Sequence, residues 1–197
     1  MQKLKRYLTV VGTTGVLLAA AGCGSSEKPS TMPDMPHPAS SSTGTQVMVT
    51  FAKDKAAFNY DKKLVPDGAR ALVAEYIQDN STTITLSVHG LLPNRAYGAH
   101  AHAKPCGPVG DDAGAHFQHM PDPVKPSVNP AFANAQNEIW LDFTTDAQGN
   151  ATVTRTVEWK FTDARAGSVV IHADPTQTAP GKAGTAGARA ACVSASL

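Results

Sequence analysis

Two histidines, His100 and His102, stand two residues apart in the stretch YGAHAHAKPCG, with Cys106 close behind them. The stretch reads as a β-strand, in which alternate side chains point to the same face of the sheet. Two imidazoles one pleat apart can therefore bind a single metal ion. Each histidine alone is also compatible with a surface position or a hydrogen-bonded core position, so the pair is what predicts a metal site.

Two further histidines stand elsewhere in the chain, His116 in GAHFQHM and His172 in VVIHADP. Four imidazoles from separate segments could meet at one site. A set of nitrogen donors without carboxylate or thiolate suits copper best and zinc second. His89 alternates with Val88 on a predicted strand, and we therefore expect its side chain to face solvent.

The chain begins with a short basic segment, MQKLKRY, and an apolar segment, LTVVGTTGVLLAAAG, that is too short to span a bilayer. Small residues then precede Cys23. This pattern predicts an export signal over residues 1–22. It also resembles the lipobox of bacterial lipoproteins, which implies that Cys23 is acylated and anchors the protein to the extracytoplasmic face of the cell membrane. An ordinary cleaved signal peptide with an incidental cysteine is the alternative.

Residues 23–45 are rich in serine, proline, glycine and threonine and predict a flexible tether. Within it, Met32, Met35 and His37 could capture Cu(I), because thioethers suit that ion; a solvated linker is the alternative. Residues 46–197 have the length of one domain.

Charge and cysteine content narrow the class of protein. The net charge of +1 argues against a nucleic acid partner, which needs a concentrated basic patch. Lipidation would consume Cys23 and leave Cys106 and Cys192. In an oxidising compartment two remaining thiols are expected to pair, and closing so long a loop contributes roughly 4–5 kcal/mol. Two free buried thiols are the alternative.

Apolar residues recur with a period of two along most of the domain, which predicts strands and no long helix. The predicted strands lie around residues 47–51, 72–76, 84–88, 139–143, 151–161, 168–174 and 189–195. In the second of these, Leu72, Ala74 and Tyr76 are predicted to form the apolar face. The pattern predicts an all-β fold, a Greek-key β-sandwich or flattened barrel.

Three regions of this predicted fold stand out. Residues 139–143 and 151–161 are predicted to form a long hairpin around a turn at 146–149, although Arg155 interrupts its apolar face. Residues 103–137 and 174–188 break the strand rhythm and predict two long functional loops, both beside histidines.

The order of these motifs resembles the Cu/Zn superoxide dismutase family. The motifs are HGLLPNRAYGAHAH, a cysteine in the following loop, GAHF, VVIHADP and GTAGARAAC. The resemblance covers about residues 46–197 and implies a β-sandwich enzyme with superoxide as its substrate.

The resemblance also implies roles for individual residues. His100, His102, His116 and His172 match the four copper ligands. Arg189 matches the catalytic arginine that attracts and orients superoxide, and His116 matches the catalytic histidine that bridges copper and zinc. Cys106 and Cys192 match the disulfide within the subunit.

The zinc ligands of the family are not matched. After the bridging histidine the family has two more histidines and an aspartate, where this chain has His119, which is too close to match, Gln136 and Ile139. We therefore expect a copper-only member with no zinc. The alternative is a degraded zinc site built from His119 and either Asp122 or Glu138.

The loop between His172 and Arg189 is also shorter than usual, and Ala183 stands where the family has a threonine at the mouth of the channel. We expect a more open site with weaker steering. Lys182 could attract an anion there, or could simply be solvated.

The sequence thus predicts an extracytoplasmic, lipid-anchored, copper-dependent superoxide dismutase. A copper-binding or storage lipoprotein with the same fold and little turnover is the second hypothesis. A structural sandwich with a vestigial site is the third, and the presence of all four histidines argues against it.

Overall fold

Two antiparallel β-sheets form the framework of the described part of the chain, residues 43–197 of a computed structural model. The strands in chain order are β1 (Thr43–Thr50), β2 (Ala57–Asn59), β3 (Arg70–Gln78), β4 (Ser81–His89), β5 (Ala96–His102), β6 (Phe143–Thr144), β7 (Ala151–Val157), β8 (Ser168–His172) and β9 (Arg189–Ser194). One sheet has the order β1-β3-β4-β7 and the other the order β2-β9-β8-β5-β6. Because the chain changes sheet repeatedly, this is a Greek-key β-sandwich, which confirms the predicted fold class.

Several predictions fall outside the described residues. They are the signal peptide (residues 1–22), the lipidation of Cys23, and the tether with its methionines and histidine, of which residues 43–45 alone are described as the start of β1. Within residues 43–197, the helical structure is a short 3₁₀ helix at Gly110–Ala113. No helix in this part of the chain is long and apolar enough to cross a membrane.

The alternation of side chains along β4 shows why the two sheets pack together. Every second residue of this strand is buried, including Ile84, Leu86 and Val88. Apolar residues of the five-stranded sheet, among them Val169 and Ile171, face them in one continuous core. His89 ends the strand on the exposed side, as expected, with its Nδ1 3.2 Å from the side-chain oxygen of Asn150.

The predicted face of β3 is wrong by one residue. Ala71, Val73 and Glu75 point into the core, whereas Leu72 is partly exposed and Tyr76 is exposed. A shift of one residue moves every side chain of a strand to the other face. The hydrophobic pattern predicted the wrong face because the charged residue Glu75 points inward.

Glu75 tolerates this position because Arg165 binds it. The Nη2 atom of Arg165 donates to both carboxylate oxygens, at 2.8 and 2.9 Å. The guanidinium also lies 5.1 Å from the centre of the Phe161 ring. Burial raises the pKa of the Glu75 carboxyl, and the charge of Arg165 opposes the rise.

The predicted long hairpin is also wrong. β6 pairs with β5 in one sheet, and β7 pairs with β4 in the other. The turn at residues 146–149 does form, with the Asp146 carboxylate accepting from the amides of Gln148 and Asn150. It carries the chain from one sheet to the other, and it does not return the chain along the same sheet.

Cross-strand hydroxyl pairs show why β7 joins β4. Thr83 pairs with Thr156, Thr85 with Thr154 and Ser87 with Thr152, with oxygens 2.8–2.9 Å apart. Arg155, which interrupted the predicted apolar face, is exposed, and its Nε donates to the carbonyl of Trp140 at 3.1 Å. The interruption is therefore a contact between β7 and the segment that precedes β6.

The disulfide between Cys106 and Cys192 is present, as predicted, and joins residues 86 apart in sequence. Cys106 lies in the irregular segment that follows β5, and Cys192 lies in β9. The bond therefore attaches the first long loop to the five-stranded sheet. Cys192 is buried beside Val170 and Ala113, in a small second core on the outer side of this sheet.

Candidate metal centre

Strands β5 and β8 place three of the four predicted histidines on one face of the five-stranded sheet. His100 pairs with Val170, and His172 pairs with Gly98. The alternate residues Ala99 and Ala101 face the core between the sheets. His100 and His102 consequently point to the opposite face, where the irregular loops cover them completely.

His116 reaches the same place from the first loop. It forms an isolated antiparallel bridge with His102, supported by hydrogen bonds from the amide of Ala103 to the carbonyl of Ala115 (2.9 Å) and from the amide of Phe117 to the carbonyl of Ala101 (2.8 Å). One nitrogen from each of the four histidines lies within 4.8 Å of the others. The four imidazoles predicted from the sequence are therefore brought together.

Hydrogen bonds determine which ring nitrogen is free to bind a metal ion in three of these imidazoles. The Nδ1 of His102 donates to the carbonyl of Gly114 at 3.0 Å, and the Nδ1 of His172 donates to that of Gly187 at 3.4 Å. The Nδ1 of His116 contacts the Glu138 carboxylate at 2.8 Å. A proton on Nδ1 leaves each Nε2 with a free lone pair that can bind a metal ion. Metal-binding histidines are commonly oriented in this way, by a carbonyl or carboxylate that accepts from the other ring nitrogen.

His100 presents the opposite nitrogen. Its Nε2 lies 2.6 Å from the hydroxyl oxygen of Thr176. Its Nδ1 is buried and has no hydrogen-bond partner among residues 43–197. A buried, unpartnered nitrogen beside three available Nε2 atoms fits a metal ion with four imidazole ligands, because an unsatisfied polar atom otherwise costs stability.

The cluster is also held in the charge state that metal binding needs. Burial lowers the pKa of His172 to about 4 and the pKa values of His100 and His102 well below the usual range. A positive charge on His116 would lower all three further. The three imidazoles are thus neutral at pH 7, and neutral imidazole is the ligating form.

Arg189 begins β9 and pairs with His172 across the sheet. Its Nη1 donates to the carbonyl of Gly110 at 2.6 Å, and its Nη2 donates to that of Gly114 at 2.7 Å. Gly114 is also the acceptor for His102, so one loop residue fixes both the guanidinium and an imidazole. The guanidinium is therefore a fixed positive charge at the edge of the cluster.

A cavity of about 590 Å³ opens onto this arrangement. Its walls include His116, His172, Glu138, Arg189, Lys125 and Thr185. Because two cationic side chains line it, the cavity can admit a small anion to the face of the cluster.

Comparison with known proteins gives the family. The model of the family described as "Copper/zinc superoxide dismutase (SODC)" matches residues 66–194. The chain belongs to this family. No curated protein sequence matches the chain significantly.

Solved structures of the copper/zinc superoxide dismutase family share the fold. The chain is similar to the Cu/Zn superoxide dismutase from Brucella abortus, with 18% identity and a TM-score of 0.50 over 76% of this chain and 99% of that one. It is also similar to a proline-to-histidine mutant of an SOD-like protein from Bacillus subtilis, with 20% identity and a TM-score of 0.50 over 63% of this chain and 88% of that one. At these identities the likeness concerns the fold.

A buried carboxylate binds the side of His116 that faces away from the cluster. Glu138 is 1% exposed, and its Oε2 lies 2.8 Å from the Nδ1 of His116. The same oxygen accepts from the indole nitrogen of Trp140 at 2.7 Å, and Oε1 accepts from Gln118 at 2.8 Å. Glu138 therefore holds the Nδ1 of His116 through a carboxylate that is itself fixed by Trp140 and Gln118.

The alternative zinc ligands are not brought together. His119 stacks on Trp159, with ring centres 4.8 Å apart and the planes 5° from parallel. The Asp122 carboxylate accepts from the Ser127 hydroxyl and the Val124 amide, both at 2.8 Å. Within residues 43–197, the four histidines are the one group of three or more potential ligands in range of a single ion.

Neither Ala183 nor Lys182, which the sequence places near the mouth of the site, lines the cavity. Ala183 is fully buried and does not line the cavity, whereas Thr185, two residues later, does. Lys182 is exposed and does not line the cavity either; Lys125, from the first loop, does.

Proposed function

We propose that this protein is a copper-dependent superoxide dismutase that uses one copper ion and no zinc, and that acts outside the cytoplasm. The observation that carries the proposal is the convergence of four imidazole nitrogens, one of them buried and unpartnered, beside the fixed guanidinium of Arg189. The donor set suits copper best. Copper supplies one-electron exchange between its two oxidation states when bound, which allows one superoxide to be oxidised and the next to be reduced.

The side chains hold the metal ion and attract and orient the substrate. His100, His102, His116 and His172 would hold the ion from one side, and the cavity leaves its other side open to the substrate. Arg189 attracts superoxide and orients it, since its guanidinium is fixed by two carbonyls. His116 is held by a hydrogen bond to the Glu138 carboxylate, which fixes the orientation of its ring.

A copper-holding protein with little turnover is the second candidate. It needs the same imidazoles, and the proposed absence of zinc favours it. It needs no anion guide, however, and the fixed position of Arg189 in the wall of the cavity favours the enzyme.

Reconstitution with copper alone tests the proposal. We expect one copper per chain, no tightly bound zinc, and full dismutase activity that added zinc does not increase. Arg189→Ala should lower kcat/KM about tenfold, near 1.4 kcal/mol, and leave copper affinity nearly unchanged. The loss should shrink as ionic strength rises, because salt screens the attraction in the wild type.

Lys182→Gln is the matched control, because it removes one positive charge from the loop that precedes Arg189 but not from the cavity wall. It should leave kcat/KM nearly unchanged. His102→Ala should instead lower copper affinity together with activity. A requirement for equimolar zinc would contradict the copper-only proposal. If the copper-loaded wild type shows no dismutase activity, the enzyme proposal fails and the copper-holding function replaces it.

The proposed location rests on the pattern around Cys23 and on the disulfide, which persists in oxidising compartments. Cys23→Ser should move the protein from the membrane fraction to the soluble fraction or leave it unprocessed, whereas Ser26→Ala should change neither. Fractionation of Cys23→Ser with membranes, as for the wild type, would show that no lipid is attached at this position.

A further inference from the structure

His100 is oriented by a hydroxyl group and a carboxylate in series. The hydroxyl oxygen of Thr176 lies 2.6 Å from the Nε2 of His100 and 2.6 Å from Oδ1 of Asp142. Direct contact between His100 and Asp142 is longer, at 3.9 Å. The hydroxyl therefore forms the link between the imidazole and the carboxylate.

The direction of these hydrogen bonds follows from what each group can donate. The Asp142 carboxylate can only accept, and it already accepts from the amides of Thr176 at 2.8 Å and Ala99 at 3.3 Å. The single hydroxyl proton of Thr176 must then point to Asp142. Its oxygen is left to accept a proton from the Nε2 of His100, so the proton of this imidazole resides on Nε2.

The consequence appears on the other side of the ring. With its proton on Nε2, His100 presents an unprotonated Nδ1, the buried nitrogen that has no partner in the described residues. The other three imidazoles are oriented by a carbonyl or a carboxylate, and each presents Nε2. His100 is thus oriented from the long loop between β8 and β9, to which Thr176 belongs.

We propose that Thr176 and Asp142 are positioning residues for metal binding by His100: together they fix its tautomer and aim Nδ1 at the centre of the cluster. Thr176 acts through its hydroxyl group, and Asp142 acts by fixing the direction of that hydroxyl. The inference rests on the proposed function in taking copper as the metal, but it requires no catalytic turnover.

Substitutions that keep the shape of Thr176 test this directly. Thr176→Val replaces the hydroxyl with a methyl group and should weaken copper binding about 10- to 100-fold, as loss of a second-shell partner typically does. The dissociation constant is measured by competition with a chromophoric copper chelator. The electron paramagnetic resonance spectrum of Cu(II) should change as well, because the ligand field of one imidazole changes. Thr176→Ser retains the hydroxyl and should restore both readouts.

Asp142→Asn provides an independent variant of nearly equal size. Its NH2 group is best tolerated at the Oδ1 position, where the competing contact with the Ala99 amide is the longer one. It would then donate to Thr176 and reverse the hydroxyl, which places the imidazole proton on Nδ1. We expect weakened copper binding and a changed spectrum, as for Thr176→Val.

Thr178→Val is the matched control in the same loop. Thr178 is exposed and does not line the cavity, so copper binding should be unaffected. Thermal unfolding of the copper-free variants checks that each one folds. Wild-type copper affinity and spectrum in folded Thr176→Val would overturn the inference. If Thr176→Val weakens copper binding but the wild type shows no dismutase activity, the inference stands and the proposed enzyme function fails.

Discussion

Removing the disulfide by the double substitution Cys106→Ala and Cys192→Ala is expected to lower the free energy of unfolding by about 4–5 kcal/mol. The bond joins residues 86 apart. In the chain-entropy account, closing a loop of this length removes a large part of the conformational freedom of the unfolded chain. Urea denaturation measures the loss, which corresponds to a decrease in Tm of about 10–15 °C for a domain of this size.

The same change should reach the candidate site, because the bonded loop carries the carbonyls of Gly110 and Gly114 that hold Arg189. Activity should therefore fall further than copper content. A reductant should reproduce the loss of stability in the wild type and have no effect on the double variant. Equal stability of the wild type before and after complete reduction would contradict this prediction.

Acid is expected to destabilise the copper-free protein between about pH 6.5 and pH 4. His172 has its pKa lowered to about 4 by burial, whereas an imidazole in the unfolded chain titrates near 6.5. The unfolded state therefore binds more protons in this interval, and stability falls as the pH decreases through it. The difference between the folded and unfolded pKa values of His172 corresponds to about 3 kcal/mol of stability from this residue alone. The lowered pKa values of His100 and His102 add to the loss in the same direction.

Denaturation of the copper-free protein at a series of pH values measures this dependence. His172→Gln should flatten the profile between pH 6.5 and pH 4. His89→Gln, which changes an exposed histidine outside the cluster, should leave the profile as in the wild type. A constant free energy of unfolding from pH 7 to pH 4.5 in the copper-free wild type would show that the imidazoles are not neutral and buried as described.

The period-two patterns were sufficient for the fold class, and the meeting of the four histidines also required the order of the motifs. Strand spacing put His100 and His102 on one face, and the order of the motifs added His116 and His172. The face of β3 was not predictable in the same way. Glu75 is a charged residue in the core, and its partner Arg165 is distant in the sequence and carries no local signal.

Pairing and long-range contacts account for the other errors. Residues 139–143 look like half of a hairpin because a turn follows them, and a turn alone does not reveal that the chain changes sheet. Glu138 was considered as a possible zinc ligand, whereas it accepts hydrogen bonds from His116 and Trp140. The role of Thr176 could not be predicted, because a threonine in an irregular loop gives no indication of its partner.

The order of strands in the five-stranded sheet also bears on how the site assembles during folding. β5, β8 and β9 are neighbours in space, although β5 ends at His102 and β8 begins at Ser168. Pairings between segments so far apart in sequence form slowly, because the entropy of a long loop is lost before the contacts are made. A chain whose C-terminal strands have not yet docked lacks His172 and the partner of Cys106. The complete set of imidazoles therefore exists only in molecules that have reached the native topology, and a bound metal ion would mark the end of folding.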